Sequence, residues 1–263
     1  MIMVRIDKKI LFSEAYVRRN EIYAGDCCKL LRDMEAGAVD LVFADPPFNI
    51  GKTYGHNDDK KEPLTYRKWC RNWISECHRV LKRDGAIWIA INDENVWHIY
   101  QSLTECGFQF RNWITWYYSF GQNQRKKFSR CHTHILYFSM HKRNLTFNAD
   151  PVRVPSARLL KYKDKRANPL GKVPDDVWNY DRVCGTYKER NSAGHECQMP
   201  EKLMQRIILS TSNPGELVLD PFGGTGTTPA VALKNGRDYM AFDNVPEYVA
   251  EMRERMREII EHD

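Results

Sequence analysis

Val39-Asp40-Leu41-Val42-Phe43-Ala44-Asp45-Pro46-Pro47-Phe48 and Leu217-Val218-Leu219-Asp220-Pro221-Phe222-Gly223-Gly224-Thr225-Gly226 share one grammar. Each opens as an apolar run that reads as a buried strand. Each closes on an acidic residue locked by proline. Open α/β sheets hold ligands and chemistry just past the carboxyl ends of such strands. The two segments therefore predict two strand tips of one mostly parallel sheet with helices on both faces, each tip carrying a different task.

The second segment has the form of a nucleotide-cofactor loop. Gly223, Gly224 and Gly226 let the backbone turn sharply and approach a ligand. Thr227 and Thr228 follow, and Ala230-Val231-Ala232-Leu233 reads as a helix. Backbone N–H groups at such a helix start favour negative or polar ligand atoms. No Lys-Ser or Lys-Thr follows the glycines, so this is not a Walker loop, and the spacing differs from the dinucleotide fingerprint. A further strand at Asp238-Tyr239-Met240-Ala241-Phe242 ends on Asp243. An acidic residue roughly 20 positions past the glycines suits ribose hydroxyls. A plain tight turn is the bland alternative; Asp220 and Asp243 together favour a nucleoside cofactor.

The first segment has the form of a grip on a planar amine. Pro46 and Pro47 fix φ and restrict the residues before them, which makes the turn stiff. Asp45 and the Pro46 carbonyl then offer two acceptors for the two hydrogens of an NH₂ group. Phe48 offers a ring on which a flat base stacks, an interaction worth about 1–3 kcal/mol. A strand-terminating turn is the alternative for Asp-Pro taken alone.

Together these residues resemble the amino-methyltransferases of DNA, which carry D/N/S-P-P-Y/F as catalytic motif and F-x-G-x-G as S-adenosylmethionine motif. The catalytic motif comes first here, as in the β group of that family. Other segments match in order. Gly25-Asp26 is similar to the family's Gly-Asp near the cofactor's adenine, and Arg79 to Ile89 to its L-K-x-x-G turn and strand. His132 to Phe138 resembles a late family strand. His195-Glu196-Cys197-Gln198-Met199-Pro200 resembles the element that closes over the cofactor's methionine, with Glu196 in place of a usual proline.

The resemblance implies a circularly permuted, Rossmann-like methyltransferase fold with a small target-recognition region. It divides the chain into a catalytic half (1–140), a target-recognition region (141–192) and a cofactor half (193–263). It implies S-adenosylmethionine as cofactor, held by Asp26, His195, Gln198, Pro200, Asp220, Phe222, Gly223, Gly224, Gly226, Thr227, Thr228 and Asp243. It implies methyl transfer at Asp45, Pro46, Pro47 and Phe48 onto a base flipped out of double-stranded DNA. Asp at the first motif position accompanies adenine N6 in the family; cytosine N4 is the alternative. An RNA or protein methyltransferase usually has the opposite motif order, and an inactive DNA-binding homologue would not need both motifs. Family members serve in restriction–modification and often form homodimers, although no heptad or apolar stripe demands one here.

Composition fits this expectation. The 263 residues are 42% hydrophobic and carry a formal charge of +6, and a modest positive balance suits a polyanion. Gln124, Arg125, Lys126, Lys127 and Arg130 form one basic run; Arg153, Arg158, Lys161, Lys163, Lys165, Arg166 and Lys172 form another. Arg125, Lys126, Lys127, Arg153, Arg158, Lys163, Lys165 and Arg166 are read as DNA contacts, against the alternative of a solvated basic surface. Eight cysteines include no C-x-x-C pair, which predicts no metal site and reduced thiols in a cytoplasmic protein. No span of the sequence is apolar enough for a membrane. Residues 48–63 read as a mobile loop beside the site or as solvated linker. Residues 64–82 read as a helix whose Trp69 and Trp73 face the core, and Ala86 begins the next strand.

Overall fold

The structure is a computed structural model and describes residues 17–54, 57–122, 124–183 and 198–262. In chain order the first half holds β1 (Glu21–Ala24), α1 (Cys27–Arg32), β2 (Val39–Ala44), β3 (Thr53–Tyr54), β4 (Asn57–Asp58), α2 (Pro63–Val80) and β5 (Leu81–Ile91). Then come α3 (Val96–Glu105), β6 (Gln109–Gln122), β7 (Arg130–Ser139), α4 (Ala157–Leu160) and β8 (Val177–Asn179). The chain closes with α5 (Glu201–Thr211), β9 (Leu217–Asp220), α6 (Thr227–Lys234), β10 (Asp238–Asp243) and α7 (Pro246–His262).

Eight strands form one sheet in the order β1-β10-β9-β2-β5-β7-β6-β8. β1, β10, β9, β2 and β5 pair in parallel; β7 is antiparallel to both its neighbours, and β8 is parallel to β6. The central strands are buried on both faces, which is why β2 and β9 read as continuous apolar runs. Side chains alternate between two cores. Val42, Ala44, Ile87 and Ile89 pack under α1, α2 and α3 through Leu31, Trp73, Cys77 and Ile99. Leu41, Phe43, Trp88 and Val218 pack under α5, α6 and α7 through Leu203, Ile207, Val231 and Met252.

The middle of the sheet positions everything else. β2 lies directly against β9, with Leu41 opposite Val218 and Val42 opposite Leu219. From β2 the chain crosses through α2 to β5 on one side; from β9 it crosses through α6 to β10 on the other. The two carboxyl ends therefore diverge around a crevice, the place such sheets use for ligands. Asp40 stitches this junction. It is buried, accepts the Leu217 N–H at 2.9 Å and pairs with Lys82 Nζ at 2.6 Å.

One element begins earlier than expected. β5 begins at Leu81, not Ala86, because Leu81 pairs with Val39 across a register shift. Gly85 sits in that shift, where a Cβ would lie 2.9 Å from the Asp40 carbonyl. The described part of residues 48–63 lies beside the cleft and is tied together by its own side chains. Asp59 is buried and accepts the backbone N–H groups of Ile50 and Lys52 (3.2 and 2.7 Å), while Asn49 exchanges two hydrogen bonds with the Lys61 backbone. Within residues 141–192, β8 is the eighth strand of the main sheet, with Trp116 opposite Trp178. Asn148 is also tied to α5 through the Leu209 and Ser212 carbonyls. No described helix is long and apolar enough to cross a membrane.

Replacing Asp40 with Ala leaves the buried Leu217 N–H without its acceptor. The expected loss is about 1–3 kcal/mol in chemical denaturation. Lys82→Ala should cost less, because the lysine keeps 38% of its side-chain surface in solvent. An Asp40→Ala protein as stable as wild type would refute the stitching role.

Candidate active site

The two sequence segments meet. Asp45, Pro46, Pro47 and Phe48 follow β2, Asp220 ends β9 and the glycine loop follows it, and both segments line one cleft of about 1570 Å³. The stiff turn is held at two carbonyls. The Tyr66 hydroxyl of α2 donates to the Pro47 carbonyl at 2.7 Å, and the Asn95 side chain donates to the Phe48 carbonyl at 2.8 Å. Asp45 points into the cleft and Pro46 is buried.

The glycine loop is shaped from below as well as above. Gly226 adopts φ +74°, and a Cβ there would lie 2.9 Å from Met252 of α7. A Cβ on Gly223 would lie 2.6 Å from the Met252 sulfur. Gly226 is thus required by its left-handed backbone and by Met252, while at Gly223 the flexible end of Met252 would have to move aside. Gly224 is left-handed (φ 52°), and its N–H donates to Asp243 at 2.9 Å. Buried Arg255 donates to the Thr225 carbonyl at 2.9 Å and pairs with Glu201 at 2.7 Å. α7 therefore braces the loop through Met252 and Arg255. Phe222 turns its ring edge-on to Trp69 and Trp73 of α2, at 5.7 and 5.2 Å.

Asp26, Gln198, Asp220, Phe222, Gly223, Gly224, Thr227, Thr228 and Asp243 all line the cleft. Asp26 also caps α1 by accepting the Lys29 N–H at 3.0 Å. Gly226 and Pro200 stand behind the wall, Gly226 at the start of α6 and Pro200 at the start of α5. His195 lies outside the described residues, as do Cys184 and Cys197.

Carboxylates dominate the floor. Asp220 is 3% exposed, accepts the Thr228 hydroxyl at 2.5 Å and accepts the Phe222 N–H at 2.9 Å. Burial pushes its pKa up to about 7, against those hydrogen bonds, with Asp243 adding to the rise. Burial and the neighbouring Asp220 push Asp45 up to about 7 as well, while Lys52 pulls it down. Asp243 is raised by burial despite accepting the Gly224 and Val245 N–H groups. A cleft so lined favours a cation.

The rim is built by the β6–β7 hairpin. β6 runs in the same sense as β2, so its tip overhangs the same edge of the sheet. Gln124, Lys127, Phe128, Ser129 and Arg130 line the cleft mouth, and Arg125 and Lys126 are exposed beside them. Arg130 anchors the tip by pairing with Asp93 at 2.7 Å. The second basic run is arranged differently. Arg153 pairs with Asp150 (2.7 Å) and donates to the Gly171 carbonyl. Arg158 and Arg166 converge on Asp164 at 2.7 and 3.0 Å, which holds that carboxyl well below its usual range. Lys163 and Lys165 are exposed, and none of these five residues lines the cleft. The sequence reading passed over Phe128, which is 99% exposed amid the basic tip, and over Asn92, Trp69, Tyr118 and Tyr248, which line the cleft. An aromatic interleaved with Arg and Lys was the available signal for Phe128.

The N6/N4 methyltransferase family model, described as DNA methylase, matches residues 39–254. The chain belongs to this DNA methylase family. It is 37% identical over 236 residues to the Type II methyltransferase M.HpaI of Haemophilus parainfluenzae, covering 89% of this chain and 73% of that one. It is 38% identical over 237 residues to the DNA adenine methyltransferase YhdJ of Escherichia coli K12, covering 87% and 79%. Among solved structures, PvuII DNA methyltransferase (cytosine-N4-specific) superposes with a TM-score of 0.71 at 18% identity, covering 93% of this chain and 91% of that one. M1.HpyAVI, solved as a complex with S-adenosylmethionine, gives 0.64 at 21% identity, covering 90% and 98%.

The raised carboxyl pKa values give a signed test. The folded cleft holds protons to about pH 7 on Asp45 and Asp220; the unfolded chain releases them near 3.9. Their stabilising effect is therefore complete below pH 4 and lost as pH rises through 7. Asp45→Asn removes one such group. Its Tm relative to wild type, without cofactor, should climb between pH 5 and pH 8. A difference that stays flat over that range would refute the shift.

Proposed function

We propose that this methylase transfers a methyl group from S-adenosylmethionine to the exocyclic N6 of adenine in double-stranded DNA, after the base is flipped out. One observation carries the reading: the Asp-Pro-Pro-Phe turn and the glycine loop open onto one cleft at neighbouring strand tips. The cleft fits the cofactor chemically. Asp26 and Asp243 lie along its wall as acceptors for nucleoside groups, and the loop of residues 222–228 offers backbone beside them. When bound, S-adenosylmethionine supplies a methyl group activated by its sulfonium.

The remaining work belongs to this chain's side chains. An aromatic amine is a poor nucleophile because its lone pair is delocalised into the ring. Asp45 and the Pro46 carbonyl accept its two hydrogens, which lets the nitrogen pyramidalise and present its lone pair. Asp45 then takes the proton the amine loses. Phe48 stacks on the base and holds it in line. The braces at Pro47 and Phe48 keep this geometry fixed. Asp at position 45 and the adenine-methylating relative support adenine; the solved neighbour specific for cytosine N4 keeps that base as the second reading.

DNA reaches the cleft across the hairpin tip. Arg125, Lys126 and Lys127 neutralise phosphates, while Phe128 enters the stack in place of the flipped base. Arg158 and Arg166 are already compensated by Asp164 and contribute less.

Asp45→Ala should abolish methyl transfer to DNA, read by incorporation of a labelled methyl group, and leave cofactor affinity within a few fold. Loss of both together would mean that Asp45 serves the cofactor and not the base. Phe128→Ala should slow methylation of paired DNA about tenfold and recover most of that rate when the target base is mismatched, since a mismatched base costs less to extrude. Equal slowing on both substrates would remove Phe128 from the flipping step. Lys126→Ala/Lys127→Ala should lower the slope of log affinity against log salt by about one to two; an unchanged slope would move the DNA path off the hairpin.

A further inference from the structure

Asn92 is a buried amide with one hand empty. It follows β5, whose Ile89 pairs with Ala44 at the end of β2, so it stands beside the Asp-Pro-Pro-Phe turn. It lines the same cleft as Asp45 and is 3% exposed. Its Oδ1 accepts the Asn95 N–H at 3.1 Å, which fixes the direction of the amide. Its Nδ2 meets no acceptor among the described residues. Buried donors are nearly always satisfied, so an orphaned amide on a residue of the cleft wall calls for a partner.

The turn that carries Asn92 is fixed on both sides. Val96 N–H returns to the Asn92 carbonyl at 3.0 Å. Asn95 reaches the Phe48 carbonyl, and Asp93 holds Arg130 of the hairpin. The orphan donor is therefore held in a set relation to the amine grip.

We infer that Asn92 Nδ2 donates to N1 of the flipped adenine, the ring nitrogen next to the exocyclic amine. This rests on the adenine reading above. Adenine presents an amine beside an unprotonated ring nitrogen on its Watson–Crick edge. Asp45 and the Pro46 carbonyl accept from the first, and Asn92 donates to the second. Guanine and thymine present the reverse, a carbonyl beside a ring N–H. They would set carbonyl against carboxylate and N–H against N–H, and each mismatch leaves buried polar groups unpaired. Asn92 thus adds a second check on the amine-bearing edge, beside the one the two acceptors make.

Mapping methylated bases on a plasmid comes first. It identifies the target base and its sequence, and so tests the adenine reading separately. Duplexes of the mapped sequence then carry adenine, 1-deazaadenine or 7-deazaadenine at the target. Single-turnover rates and cofactor affinity are measured for wild type and Asn92→Ala. Wild type should lose about tenfold or more on 1-deazaadenine and little on 7-deazaadenine. Asn92→Ala should lose a similar factor on adenine, keep its cofactor affinity and lose nothing further on 1-deazaadenine. Asn92→Asp keeps the Asn95 contact while removing the donor, and replaces Asn92→Ala if that variant binds no cofactor. The inference falls if the variant methylates adenine at the wild-type rate. It also falls if wild type ignores 1-deazaadenine, if the two losses multiply, or if the loss of coupling tracks 7-deazaadenine instead. If the mapped base is cytosine, the adenine reading fails, and the same cycle with 3-deazacytosine tests Asn92 against N3.

Discussion

β2 against β9 is the contact on which the site depends. Two parallel strands lie side by side, and their crossovers leave in opposite directions. Neither helix can then cover the strand tips, so a crevice opens there by topology and not by the shape of any loop. The pairing also brings Asp45 and Asp220 onto one floor, although 174 residues of chain separate them. Asp40 secures the other end of the pair by taking the Leu217 N–H. Burial of every residue of both strands makes the alignment resistant to slippage, since a shift of one residue would turn both cores inside out.

That floor concentrates acid. Asp45, Asp220 and Asp243 are each raised by burial, and Asp220 connects the other two electrostatically. Such an arrangement costs stability once the carboxylates ionise. Its chemical value lies in what it attracts. A sulfonium cation and an amine that is losing a proton both favour ionised carboxylates, so groups that cost stability on their own suit the reaction. The hydrogen bonds from Thr228 and the Phe222 backbone direct Asp220 toward the loop. Asp45, pulled down by Lys52, is left facing the substrate side.

The sequence made the strand tips legible because burial on both faces leaves an unbroken apolar signature that ends abruptly at Asp-Pro. It did not reveal that Gly226 is also constrained by Met252, which approaches it from α7. It placed Trp69 with Trp73 in the core by helical spacing. Trp73 is fully buried, but Trp69, near the helix's first turns, reaches the cleft and meets Phe222. Charge runs were the weakest guide. Arg153, Arg158 and Arg166 read as phosphate ligands in one dimension, and in three they also pair with Asp150 and Asp164. A count of basic residues cannot separate charges facing solvent from charges folding their own loop.

The order of the two motifs along the chain has no bearing on the site's geometry. What the chemistry requires is that β9 lie between β10 and β2, so that the loop after one and the turn after the other share a crevice. A permuted connection meets that requirement as long as the joining segment runs outside the central strands. Here the joining segment passes beyond β6, contributes β8 to the sheet edge and returns through α5. Of its described residues, Arg182 and Val183 line the cleft wall. The central pair stays free of loop variation, and the margin is where sequence preference can change without disturbing the grip on the amine.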